Sequence, residues 1–142
     1  MKTNQEIVQA IYEAFGQGNI PAILDHLADD VQWESWADNS AQQQNVPWLK
    51  ARQGKEAVPE FFSIVGQLNL TDFQVLSIMA GGNQVAAEII VETASSALAT
   101  SFRDEEMHLW TFNDEGKVTR LRHYTDTFKH IQAAKAATTV PA

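Results

Sequence analysis

Apolar side chains recur at helical spacing from the start of the chain. Ile7, Val8, Ile11, Ala14 and Phe15 share one face, Thr3 followed by Glu6 reads as a capping box, and Gly18 ends the run. Asn19 then caps a short second helix, with Pro21 in its first turn and Ile23, Leu24 and Leu27 as its stripe. The period changes to two at Val31, Trp33 and Ser35, which alternate with Gln32, Glu34 and Trp36, so a strand follows. From 37 to 52 no period holds, and a run of Gln42, Gln43 and Gln44 with Pro47 predicts a long loop of the kind that often carries function.

A third helix is predicted from near Lys55, with Ala57, Val58, Phe61, Phe62 and Val65 on one face and Pro59 in the first turn. Four strand-like runs come next, at about 70–79, 85–93, 101–112 and 118–127. Gly81, Gly82 and Asn83 separate the first two, and the turn from Asn113 to Gly116 closes the last hairpin. After Phe128 a helical turn is expected, and 136–142 is expected to fray. The order gives an α+β chain: one mainly antiparallel sheet with three helices on one face, in a single domain over 1–142.

Composition narrows the function. The 142 residues hold 10 Lys and Arg against 18 Asp and Glu, a net charge of −8 that opposes a polyanion, so no nucleic-acid partner is expected. With no cysteine there is neither a disulfide nor a thiolate site. No apolar run is long enough to span a membrane and Met1 is not followed by a signal-peptide core, so no membrane partner is expected and a cytoplasmic location is.

Two strings, AIYEAFGQGNIPAILDHLADDVQWES and MHLWTFNDEGKVTRLRHYTD, together with this element order, resemble the SnoaL-like group of the nuclear transport factor 2-like superfamily, from about Ile7 to Phe128. That group includes polyketide cyclases, limonene-epoxide hydrolases and ketosteroid isomerase relatives. The resemblance implies a curved, mixed sheet wrapped around the helices as a cone, an internal pocket for a small hydrophobic organic ligand, and a homodimer through the outer sheet face. No cofactor is expected. The isomerase aspartate base falls on Ser35 and the isomerase tyrosine on Ile11, so that machinery is missing. The isomerase's second acid and one hydrolase aspartate fall on His108, and the second hydrolase aspartate, which is also the cyclase acid–base residue, falls on His123.

Strand parity places side chains independently of the resemblance. Val31, Trp33 and Ser35 share one face of the first strand. On the later strands Glu106, His108, Trp110 and Phe112, and then Thr119, Leu121, His123 and Thr125, form the inward sets. His108 and His123 are therefore the candidate acid–base pair, because imidazole exchanges protons near neutral pH. Each also suits a hydrogen-bonded position inside a sheet, and the alternatives to an enzyme are a non-catalytic binder of a hydrophobic metabolite and a protein-interaction module. Trp33, Ser35, Trp110, Leu121, Tyr12 and Phe112 are the candidate ligand-binding residues, though the aromatic ones equally suit plain core. Glu106 is the nearby carboxylate of matching parity; without HExxH or thiols, no metal is expected. Trp36 and Trp48 flank the loop as lid or packing. Asp126 has the wrong parity unless a bulge turns it inward, Ile90, Leu109 and Tyr124 fall on the outer face, and His26 and His130 read as surface residues.

Overall fold

The computed structural model describes residues 2–139. Helix α1 (Asn4–Gly16) starts at the Thr3–Glu6 capping box, and α2 (Ile20–Leu24) is capped by Asn19, whose side chain accepts from the Ala22 amide. Strand β1 (Leu27–Ser35) follows, then a short α3 (Ser40–Gln43), a 3-10 turn at Pro47–Leu49, and the two-residue β2 (Arg52–Gln53). A second 3-10 turn, Lys55–Ala57, leads into α4 (Val58–Val65), where Pro59 sits in the first turn and breaks no hydrogen bond. The remaining strands are β3 (Leu70–Gly81), β4 (Gln84–Thr93), β5 (Phe102–Phe112) and β6 (Val118–Tyr124), and α5 (Thr127–Thr139) ends the described chain.

The strands form one open sheet in the order β2-β1-β6-β5-β4-β3. Only the β1–β6 pair is parallel, which makes the sheet mixed and mainly antiparallel, the α+β class expected. Irregular register in β3 against β4, at Leu70/Asp72 and Val75/Ser77, adds local twist to one wing of the curved sheet. Gly82 and Gly116 take φ of +58° and +77° in the two hairpins, a region that suits glycine. The concave face carries α1, α2, α4 and α5. Two apolar clusters fill it: Ile7, Ile11, Trp33, Trp110 and Phe112 belong to one, and Trp48, Leu49, Ile89, Phe102 and Ala133 to the other.

Four expectations change. The segment 37–52 is no bare loop. Asn39 caps α3 and donates to the Ser35 hydroxyl and to the Trp36 carbonyl, Ser35 donates to the Leu49 carbonyl, and the Arg52 guanidinium donates to the carbonyls of Pro47 and Lys50. Side-chain-to-backbone bonds therefore replace hydrophobic period as what holds this stretch. The single turn expected after Phe128 is a 13-residue helix, and of the tail expected to fray, 136–139 is helical while 140–142 lie outside the described residues. In β6, a register shift at Thr111/Phe112 sets Val118, not Thr119, into the core; the Thr119 hydroxyl donates to the Thr111 carbonyl instead.

Candidate functional site

Between the sheet and the helices lies an apolar cavity of about 100 Å³. Tyr12 and Phe15 of α1, Trp33 of β1, Phe61 and Phe62 of α4, Phe73 of β3 and Trp110 of β5 supply aromatic walls, and Leu121 closes the sheet side. Six of the eight candidate residues named from sequence therefore meet around one space: Tyr12, Trp33, His108, Trp110, Leu121 and His123. Ser35 and Phe112 do not line it. Ser35 is fully buried beneath the 47–49 turn with its hydroxyl committed to Leu49, and Phe112 packs in the cluster beside α1.

His108 and His123 are direct partners across the antiparallel β5–β6 ladder, with ring centroids 5.5 Å apart. Facing pairs in such a ladder project to the same side, so parity alone brings both rings inward. Their surroundings differ. The His108 Nδ1 lies 2.8 Å from the Tyr12 hydroxyl, and the His108 Nε2 lies 3.1 Å from Glu106 Oε1. The Tyr12 oxygen also accepts from the Trp110 indole at 3.1 Å. Burial raises the Tyr12 pKa, so the phenol keeps its proton. That proton is directed to Nδ1, which leaves the His108 proton on Nε2, donated to Glu106; the tautomer is assigned from this donor and acceptor pattern. Both His108 nitrogens are thus occupied.

His123 has no hydrogen bond to any of the described residues, and its Nε2 is buried without a partner. Its ring packs edge-on against Phe61 at 5.5 Å. Burial, reinforced by His108, lowers its pKa to about 3, so the imidazole is neutral at neutral pH. A neutral imidazole with both nitrogens free can accept at one and donate at the other.

The feature the sequence did not reveal is His130. It was expected on the surface; it is 2 % exposed, projects from α5 and lines the same cavity. Its Nε2 lies 2.7 Å from Asp104 Oδ2 and 3.3 Å from Glu106 Oε2, and its Nδ1 accepts from the Trp48 indole at 2.8 Å. Burial disfavours a charge on this ring and the neighbouring Asp104 and Glu106 carboxylates favour one, but the Trp48 indole N–H requires a bare Nδ1 lone pair. An imidazolium would set an Nδ1 proton against the Trp48 N–H, which can only donate. The Trp48 contact and the second proton are therefore mutually exclusive, and the contact shown belongs to the neutral ring with its proton on Nε2. The signal in the sequence was slight: His130 precedes Ala133 and Ala134 at helical spacing after Asp126, which caps α5 by accepting from the Lys129 amide. Asp126 is exposed and does not reach the cavity wall.

Glu106 sits between the two fixed histidines. Burial alone would raise its pKa, but donation from His108 and His130 more than offsets this and holds the carboxylate ionised well below the usual range. Two groups have ligand atoms clustered within 4.8 Å: Glu106, His108 and His123, and Asp104, Glu106 and His130. In the first, only the His123 nitrogens are free; in the second, every side chain is engaged in hydrogen bonds. Trp36, the other tryptophan flanking the loop, stacks on Tyr124 away from the cavity at 5.3 Å.

Comparison with known proteins agrees with this architecture. The SnoaL-like domain family matches residues 8–121, whereas no curated protein sequence matches the chain significantly. An NTF2-like protein from Burkholderia thailandensis superposes with a TM-score of 0.75 at 20 % identity, covering 99 % of this chain and 100 % of that one. TerC, co-crystallised with polyporic acid, gives 0.70 at 22 % identity over 93 % and 98 % of the two chains. An epoxide hydrolase of the limonene-epoxide hydrolase-like type from M. tuberculosis gives 0.66 at 15 % identity over 95 % and 91 %. No helix among the described residues is long and apolar enough to cross a membrane. With most of its length matched by the family and its fold shared with NTF2-like structures, the chain belongs to the SnoaL-like family.

Proposed function

We propose that the protein takes a small, mainly apolar organic molecule into the cavity and moves a proton on it, with His123 as the acceptor. The observation that carries this reading is the unpartnered, neutral His123 ring in an aromatic cavity, within 4.8 Å of an ionised carboxylate. A proton taken by His123 would create an imidazolium beside Glu106, and that charge pair lowers the cost of the step. His108 completes the pair by holding Glu106 in place with its Nε2 proton while Tyr12 fixes its ring. TerC, a structural relative, was crystallised with polyporic acid, which supports a cavity built for organic compounds in this fold.

A second reading has its own support. Because His108 has no nitrogen to spare and His123 is a weak base in the empty cavity, both imidazoles also suit a protein that only binds its ligand. The two readings separate in one experiment. Compounds that raise the melting temperature are incubated in D2O with the wild type and with His123→Gln, and deuterium incorporation is followed by mass spectrometry. Proton transfer predicts exchange catalysed by the wild type and lost in a folded Gln variant. Ligands that bind without exchange, and equally well to the variant, establish the binder instead.

A further inference from the structure

The cavity restricts its ligand in size, charge and polarity, and together these restrictions name a class. At about 100 Å³, in a cavity that is not sealed, the space is of the order of the roughly 150 Å³ apolar cavity that accommodates benzene, which suits a single ring. A fused or linked ring system would have to push apart Phe61, Phe62 and Trp33, which already pack edge-on at 5.1 to 5.6 Å. One ring is the limit that the walls set.

Charge is restricted as firmly. No lysine or arginine is among the described residues that line the cavity. Arg52 stands behind it with its guanidinium committed to the Pro47 and Lys50 carbonyls and to Glu60. An anionic ligand would therefore meet Glu106 with no counter-charge. A cation would gain little, since Glu106 Oε1 already accepts from His108 and Oε2 faces the His130 ring at 3.3 Å, and the ligand would lose its own hydration.

Polarity is left to two groups. Trp33 Nε1 and His123 Nε2 are buried without partners, and their side chains line the cavity on the paired strands β1 and β6, both in ring contact with Phe61. A buried donor or acceptor without a partner is costly, so such a pair favours a ligand that satisfies it. Indole offers a proton; the neutral His123 ring offers a proton or a lone pair.

We propose that the cavity binds an uncharged compound of one ring carrying a hydroxyl or carbonyl oxygen, which His123 holds by a hydrogen bond with the ring between Phe61, Phe62 and Trp110. The inference rests on the cavity and on His123 as read above, and does not need proton transfer. The test is isothermal calorimetry at pH 7 with phenol and cyclohexanone against toluene, benzoate, benzylamine and 2-naphthol. Phenol or cyclohexanone should bind about tenfold tighter than toluene, the ratio one added hydrogen bond supports, with the charged and two-ring probes weaker than either. In His123→Leu, the advantage of the oxygen over toluene should shrink to within about threefold. Should that variant not fold, the imidazole 15N shifts of the wild type replace it: phenol must move His123 more than His108 or His130. Tighter binding of benzoate, benzylamine or 2-naphthol overturns the proposal, as does failure of both oxygen-bearing probes to bind. An oxygen preference that survives in His123→Leu, or shifts confined to the other histidines, also overturns it. Deuterium exchange on a larger ligand, with no binding of these small probes, would remove this class and leave the proton-transfer reading intact.

Discussion

At the scale of single residues, the site turns on three histidines in one cavity that differ by what touches their nitrogens. His108 is closed by Tyr12 and Glu106, His130 by Trp48 and the two carboxyls, and His123 is open. The open one has a pH signature. Its folded pKa, about 3, lies below the unfolded value near 6.5, so between these values the unfolded chain binds a proton that the folded chain does not. Stability should therefore rise with pH across this window and fall on acidification through it. His123→Gln removes the contribution, and the stability difference between wild type and variant should change by about 1.4 kcal/mol per pH unit between pH 4 and 6 in urea titrations. A difference independent of pH would show that His123 is already hydrated or paired. For the same reason, any turnover that uses His123 as base should persist well below pH 6.5, because the base stays unprotonated there. An acid limb at the ordinary imidazole value would place the proton acceptor elsewhere.

At the scale of elements, β5 and β6 deliver His108 and His123, while α5 and the 47–49 turn meet across the cavity through the Trp48–His130 bond. Trp48→Phe deletes that donor, and leaving a buried imidazole nitrogen unpaired should cost about 1–3 kcal/mol in denaturant unfolding. It should also raise the His130 pKa, since the indole then no longer opposes a proton on Nδ1; side-chain 15N NMR reads this, and an unchanged His130 would contradict the exclusion argued for that contact. These elements also mark where the sequence was legible. The strands and the first helices follow hydrophobic period, and the inward parity of Trp33, His108, Trp110, Leu121 and His123 follows from alternation, which needs no knowledge of partners. The 37–52 segment and α5 do not, because Asn39, Arg52 and His130 are held by groups far along the chain or by backbone carbonyls. Tyr12 shows the same limit within a legible element: its place on α1 follows from period, but its bond to His108 joins residues 96 apart.

At the scale of the whole molecule, the convex sheet face keeps Met79 52 % exposed, Leu76 47 % and Met107 37 %, with Met79, Ala86, Leu109, Arg122 and Glu34 in register across five strands. We propose pairing of two copies through this face, as the apolar row of Met79, Ala86 and Leu109, with Arg122 and Glu34 at one end, suggests. Sedimentation at micromolar concentration should then give twice the 15.8 kDa chain mass, about 32 kDa, and Leu109→Asp should halve it; a wild-type species of single-chain mass contradicts the proposal. Since the cavity lies on the concave side, the account of the site does not depend on that outcome. Its central claim is that His123 is the free, neutral hydrogen-bonding group of the cavity. The most direct measurement is the side-chain 15N spectrum of His123 at pH 7, with and without a bound ligand. The ring should be neutral and should move toward a single tautomer, or take up a proton, when ligand binds. A His123 already charged in the empty protein, or one indifferent to every ligand that stabilises the fold, would contradict it.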